Sequence, residues 1–160
     1  MPRTGAAAFF DIEITARLRN DVIALLGELR AAKSAPLLVE IMENRIMDNL
    51  FEKMRPEMTA LANIGAAAVP YLISSIETAK QKALSVQFPD PRTDEERTRY
   101  VMTQTARTQL RAAMVLGEIG DPRGLPVLQR LLEPTSDLNL VRPETVVVKH
   151  AIKQIQDRAK

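Results

Sequence analysis

The stretch LGEIGDPRGLPVL, residues 116–128, most constrains what this chain can fold into, because it recurs. It aligns with LGELRAAKSAPLL at 26–38: Leu116 with Leu26, Gly117 with Gly27, Glu118 with Glu28, Pro126 with Pro36 and Leu128 with Leu38. LANIGAAAVPYL at 61–72 is a third copy, shorter by one residue in the turn, with Leu61, Ile64, Gly65, Pro70 and Leu72 in the matching places. Glycine after Ile64 or Ile119 suits the left-handed residue that ends a helix. Proline suits the first turn of the next helix, where its missing N–H would have no partner anyway. Leucine and isoleucine recur at helical spacing on both sides. The unit is therefore helix, tight turn, helix. One such hairpin cannot bury its apolar face, whereas stacked hairpins bury a continuous core.

The pattern resembles the HEAT repeat, in particular the short bacterial type of phycobilisome-lyase-like proteins. That type runs roughly Arg-x-x-Ala, Leu-Gly-x-Ile-Gly-Asp-Pro, Val-Pro-x-Leu. The third copy follows it best, with Arg111-Ala112-Ala113, Leu116 to Pro122, and Leu125-Pro126-Val127-Leu128. The first copy departs at Arg30, where glycine is usual, and lacks the Asp-Pro pair. The second has Pro56 where the arginine would fall. The resemblance implies an all-α fold, an α-α superhelix or solenoid of about three HEAT-like hairpins plus a terminal capping helix.

The chain reads as one domain over 1–160, with seven helices near 11–29, 35–47, 49–64, 67–84, 94–119, 125–132 and 144–158. The hairpin repeats are then about 11–47, 49–84 and 94–132, and 144–158 caps the stack. Pro56 should kink the third helix or mark its start. SVQFPDPR at 85–92 reads as a loop, and Thr93 to Glu96 as a capping box in which Thr and Glu satisfy each other's backbone donors. PTSDLNLVRP, 134–143, is a second loop, and its Pro143 opens the last helix.

A chain of 160 residues buries about 68–70% of its unfolded surface without help from disulfides or metal. There is no cysteine, which excludes disulfides, cysteine zinc sites and a thiol nucleophile. No run approaches the ~18 apolar residues of a membrane helix, and the N-terminal apolar run is too short for a signal-peptide core. A soluble, cytoplasmic protein without a membrane partner is expected. The net charge of +2 is too small to argue for nucleic acid.

No catalytic constellation emerges. His150 is the sole histidine, and a metal site needs several ligands. The last helix places Val148, Ala151, Ile152 and Ile155 inward and His150 away from them. The repeated His-Glu pairs of the HEAT-built deoxyhypusine hydroxylases are missing. Ser74 and Ser75 have no obvious base, and the glycines lack phosphate-loop spacing. No enzyme activity, metal or cofactor is expected. The methionines Met42, Met47, Met54 and Met58 read as core packing.

Binding is the remaining class. HEAT arrays line one surface with the second helix of each hairpin. With Leu38, Leu72 and Leu128, then Met42, Ile76 and Leu132, as core, the outward positions are Glu40, Ser74 and Arg130. Glu43, Glu77 and Glu133 follow one turn on, and Tyr71 is a candidate anchor because tyrosine is enriched at interface hot spots. The expected function is a non-enzymatic scaffold or adaptor that binds another protein through this face. An alternative is nucleic-acid backbone binding through Arg97, Tyr100, Gln104, Arg107 and Arg111, which share an arc of ~80° on the long helix. A phycobilin-lyase-like chromophore accessory is implied by the repeat type alone. A stack this small can also hide an apolar end by pairing as a homo-oligomer, with Val146 as a contact.

Overall fold

A computed structural model of the chain describes residues 5–44, 54–87, 93–133 and 142–160, with side chains from 15 in the first segment and from 145 in the last. These residues form seven α-helices: α1 (Gly5–Glu28), α2 (Ala35–Asn44), α3 (Pro56–Ile64), α4 (Val69–Leu84), α5 (Asp94–Ile119), α6 (Leu125–Leu131) and α7 (Arg142–Arg158). Among the described residues there is no strand. The three aligned stretches share one layout, although Gly65 opens its 3-10 turn directly while Gly120 precedes its own by two residues. In each, a 3-10 turn joins two helices: Ala32–Ser34 between α1 and α2, Gly65–Ala67 between α3 and α4, and Pro122–Gly124 between α5 and α6. The second helix begins one residue before Pro36, Pro70 or Pro126, where the proline's fixed φ fits the first turn.

The first helices α1, α3, α5 and α7 lie side by side in chain order, and α2, α4 and α6 form the second layer. One apolar cluster runs through both. Its fully buried members include Leu38, Leu61, Leu72, Leu116, Leu128 and Ile155, which are the leucines shared by the repeats and the inward row of α7. Met42 and Ile76 are buried as the pattern requires. Leu132 is only half-buried, and Leu131 takes its place in the core, because α6 ends at Leu131.

Other boundaries shift for local reasons. Of the two outcomes expected of Pro56, a kink or a start, it marks the start of the third helix, since a residue without an N–H belongs in a helix's first turn. The fourth starts at Val69 rather than 67, because Gly65–Ala67 is still 3-10. The first and last helices begin earlier than their periodicity suggests, at Gly5 and Arg142. The end of the 35–47 helix, Met47, the 88–92 part of the proline loop and residues 134–141 lie outside the described residues. The capping box forms: Thr93 Oγ1 accepts from the Glu96 N–H at 3.2 Å, and the Glu96 carboxylate accepts from the Thr93 N–H at 2.9 Å. No single helix among the described residues is long and apolar enough to cross a membrane. α3 and α4 pass that test only as a pair, bent by 118°.

Arg30 explains what the first repeat lost by departing from glycine. It is the one described non-glycine residue with positive φ, at 49°, and it occupies the place of Gly120, whose φ is 74°. A side chain in the left-handed region costs roughly 1–2 kcal/mol, partly offset by the greater freedom glycine has when unfolded. Arg30→Gly should therefore stabilise the chain by about 0.5–1 kcal/mol in urea unfolding. A loss of stability would mean that the exposed guanidinium makes a contact worth more than the strain.

Candidate partner-binding face

The second helices carry the face that the repeat pattern singles out. Glu40 on α2, Ser74 on α4 and Arg130 on α6 are all exposed, as are Tyr71, Glu77 and Glu133. Tyr71 keeps 43% of its surface in solvent. These positions do not act independently. The Arg130 guanidinium donates to the Glu77 carboxylate, joining α6 to α4.

Glu43 departs from the expected role. Its side chain is only 12% exposed. One carboxylate oxygen accepts from Ser75 Oγ at 2.7 Å, and Lys82 Nζ donates to both oxygens at 2.8 Å. Glu43 is thus a joint between α2 and α4 rather than a free surface acid. Ser75 is itself 1% exposed, so the hydroxyl that meets a carboxylate is out of reach of a substrate. Sequence spacing gave no hint of Ser75 or Lys82, because each lies more than thirty residues from Glu43.

The arginine arc of α5 is divided by its surroundings. Arg97 is exposed; Tyr100, Gln104 and Arg107 are half-buried; Arg111 is buried, 9% exposed. The helix enters the stack along its length. Gln104 Nε2 donates to the Glu43 carbonyl at 3.1 Å, and Arg111 Nη1 donates to the Met42 carbonyl at 2.8 Å. Both carbonyls belong to the last turn of α2, whose final C=O groups have no partner within the helix. A cation there also complements the negative end of the helix dipole. Two of the five residues therefore turn toward α2 and do not share one solvent face with Arg97.

Arginines play the same part elsewhere. Arg158 of α7 donates to the Glu118 carbonyl near the end of α5, with Gln154 on the Glu118 carboxylate at 3.1 Å. Arg123 in the third turn donates to the Ala66 carbonyl in the second turn at 2.9 Å. Its guanidinium also meets the Asp121 carboxylate at 2.7 Å, and that carboxylate accepts from the Arg123 N–H and so caps the turn that Pro122 opens.

The side-chain hydrogen bond from Arg123 holds the Asp121 carboxyl below its ordinary range, against a smaller opposing effect of burial. A depressed acid contributes stability that is complete above its unfolded value and is lost as pH falls through the folded one. Asp121→Asn should therefore flatten the acid limb of a stability-against-pH curve and leave the slope near neutrality unchanged. An unaltered acid limb would show that the pair does not couple to folding.

His150 is exposed on α7, opposite buried Val148, Ala151 and Ile155. Among the described residues no three of His, Asp and Glu come together as a metal site would require.

Residues 108–134 match the family model described as the PBS lyase HEAT-like repeat. The matched segment holds the inner half of α5, the Asp121–Arg123 turn and α6. No curated protein and no solved structure matches the chain.

Proposed function

We propose that the chain is a non-enzymatic, cytoplasmic scaffold that binds another protein along α2, α4 and α6. The observation that carries this reading is the tying of that face from helix to helix, through Glu43 with Ser75 and Lys82 and through Glu77 with Arg130. A face ordered before the partner arrives loses less side-chain freedom on binding. Glu40, Tyr71, Ser74 and Glu133 remain exposed on it. They suit a segment that offers basic or amide groups and an apolar contact for the tyrosine ring. The nucleic-acid alternative is disfavoured, because Gln104 and Arg111 donate to the end of α2. The chromophore alternative rests on the repeat type alone.

The interhelix pairs decide which variant tests this. Reversing Glu77 and Arg130 together would restore their ion pair in the opposite sense. Glu40→Lys/Tyr71→Ala/Ser74→Arg instead changes three exposed side chains and leaves both ties intact. Affinity capture from the source cell should recover a protein with the wild type and lose it with this variant, whose helicity is checked by circular dichroism. Recovery of the same protein by both would sink the assignment of the face. Recovery of nucleic acid, weakened steeply by salt, would sink the scaffold reading itself.

A further inference from the structure

The described end of the stack at α1 is apolar on two opposite sides. On one side Ile23 is buried and Gly27 meets Ala60 of α3. On the other, Leu18, Val22, Leu25 and Leu29 are 60%, 56%, 51% and 69% exposed. Their spacing of four, three and four residues draws one stripe along the helix, the pattern of a helix-pairing seam. Beside the stripe, α1 and α2 enclose a cleft of about 390 Å³. Its floor is Ile23, Leu26 and Leu38, and α2 supplies Leu37, 54% exposed, and Ile41. A helix with apolar residues on opposite sides is built to be covered on both.

We infer that this face pairs with the same face of a second copy, giving a two-fold symmetric dimer through α1 and α2. Three observations favour a second copy. First, the stripe is self-complementary. A two-fold contact uses one patch twice, and in either helix direction this seam sets leucine or valine against leucine or valine. Second, among the described residues the other end of the stack offers no apolar match. On α7 the exposed Val146 shares the surface with exposed Lys149, His150 and Lys153, which is how a polar cap ends an array. Head-to-tail stacking would set the leucines against those lysines. Third, the area reaches the minimum. Five large side chains at half exposure or more present roughly 500 Å² per copy, so full coverage buries about 1,000 Å² across the pair. That meets the lower bound of about 1,000 Å² for a biological interface, and a patch of about 500 Å² is the size of the largest on a typical monomer, which is often a functional surface.

Sedimentation equilibrium on the full chain tests this directly. Wild type should sediment at twice 17.8 kDa. Val22→Glu/Leu25→Glu should sediment as the monomer, a twofold fall in mass, with unchanged helicity. Leu37→Glu reads the same face independently from α2, should the double variant lose its fold. Val146→Glu should remain a dimer. A monomeric wild type across the micromolar range overturns the proposal and leaves the face to a helix of some other protein. A dimer that survives both α1 and α2 variants, or that dissociates with Val146→Glu, overturns it as well, because the interface then lies elsewhere.

Discussion

Arg111→Ala should lower the stability of the fold by about 3 kcal/mol, with Arg97→Ala, at the exposed start of the same arc, changing it by no more than about 0.5 kcal/mol. The two arginines are equivalent to a reader of the helical period and opposite in burial. Removing the Arg111 guanidinium deletes a charge-assisted hydrogen bond to the Met42 carbonyl, an interaction of about 1.5–3 kcal/mol. It also removes a long apolar stem from the packing between α5 and α2. Arg111→Met keeps the stem and should lose less, about 2 kcal/mol. Urea unfolding of the three variants separates these contributions. Equal effects at positions 97 and 111 would mean that Arg111 does not hold the end of α2.

The second large effect is expected at the glycines of the repeated Leu-Gly-Glu. Gly27→Ala should cost about 2 kcal/mol, although alanine is the better helix former by about 1 kcal/mol. A Cβ on Gly27 would lie 2.6 Å from the Ala60 Cα, and one on Gly117 would lie 2.9 Å from the Ala151 Cα. These two glycines match in the aligned repeats and do the same job. Each lets the next first-layer helix approach, α3 against α1 and α7 against α5. The nearest atom at Gly27 is backbone, so a whole helix must move to admit the methyl group. Ala60→Gly should therefore fail to rescue Gly27→Ala. Valine at either site should lose more than alanine, because overpacking adds to the strain of a β-branched side chain. A neutral or stabilising Gly27→Ala would show that α1 and α3 can separate without penalty.

Much of the architecture was legible because it is written locally. Pro-x-Leu in all three copies, with Leu-Gly-Glu in two of them, located the hairpin turns; each is a 3-10 turn, and the second helix starts where expected at Ala35 and Leu125 but two residues late at Val69. Thr93 to Glu96 announced the start of α5 through bonds closed within four residues. The inward row of α7 followed from its period. The candidate face was partly legible: Glu40, Ser74, Glu77, Arg130 and Glu133 are exposed as the alignment of the second helices implied, and Tyr71, which the alignment left open, is exposed too. Glu43 was not, because its burial depends on Ser75 and Lys82 of another helix. The same blindness placed Gln104 and Arg111 in solvent.

The sequence by itself determined the repeat, the order of the helices, their turns and the apolar side of nearly every one. Those properties depend on backbone preference and side-chain spacing within about ten residues, which periodicity reads directly. Only the tertiary structure decided which helix lies beside which. That choice made Arg111 a cap for α2, made Gly27 and Gly117 points of close approach, and left one leucine stripe of α1 bare beside its buried side. The period fixes the direction of a side chain about its own helix axis. Whether that direction meets carbonyls, a neighbouring backbone or water depends on residues distant in the chain, brought there by burial of the shared core.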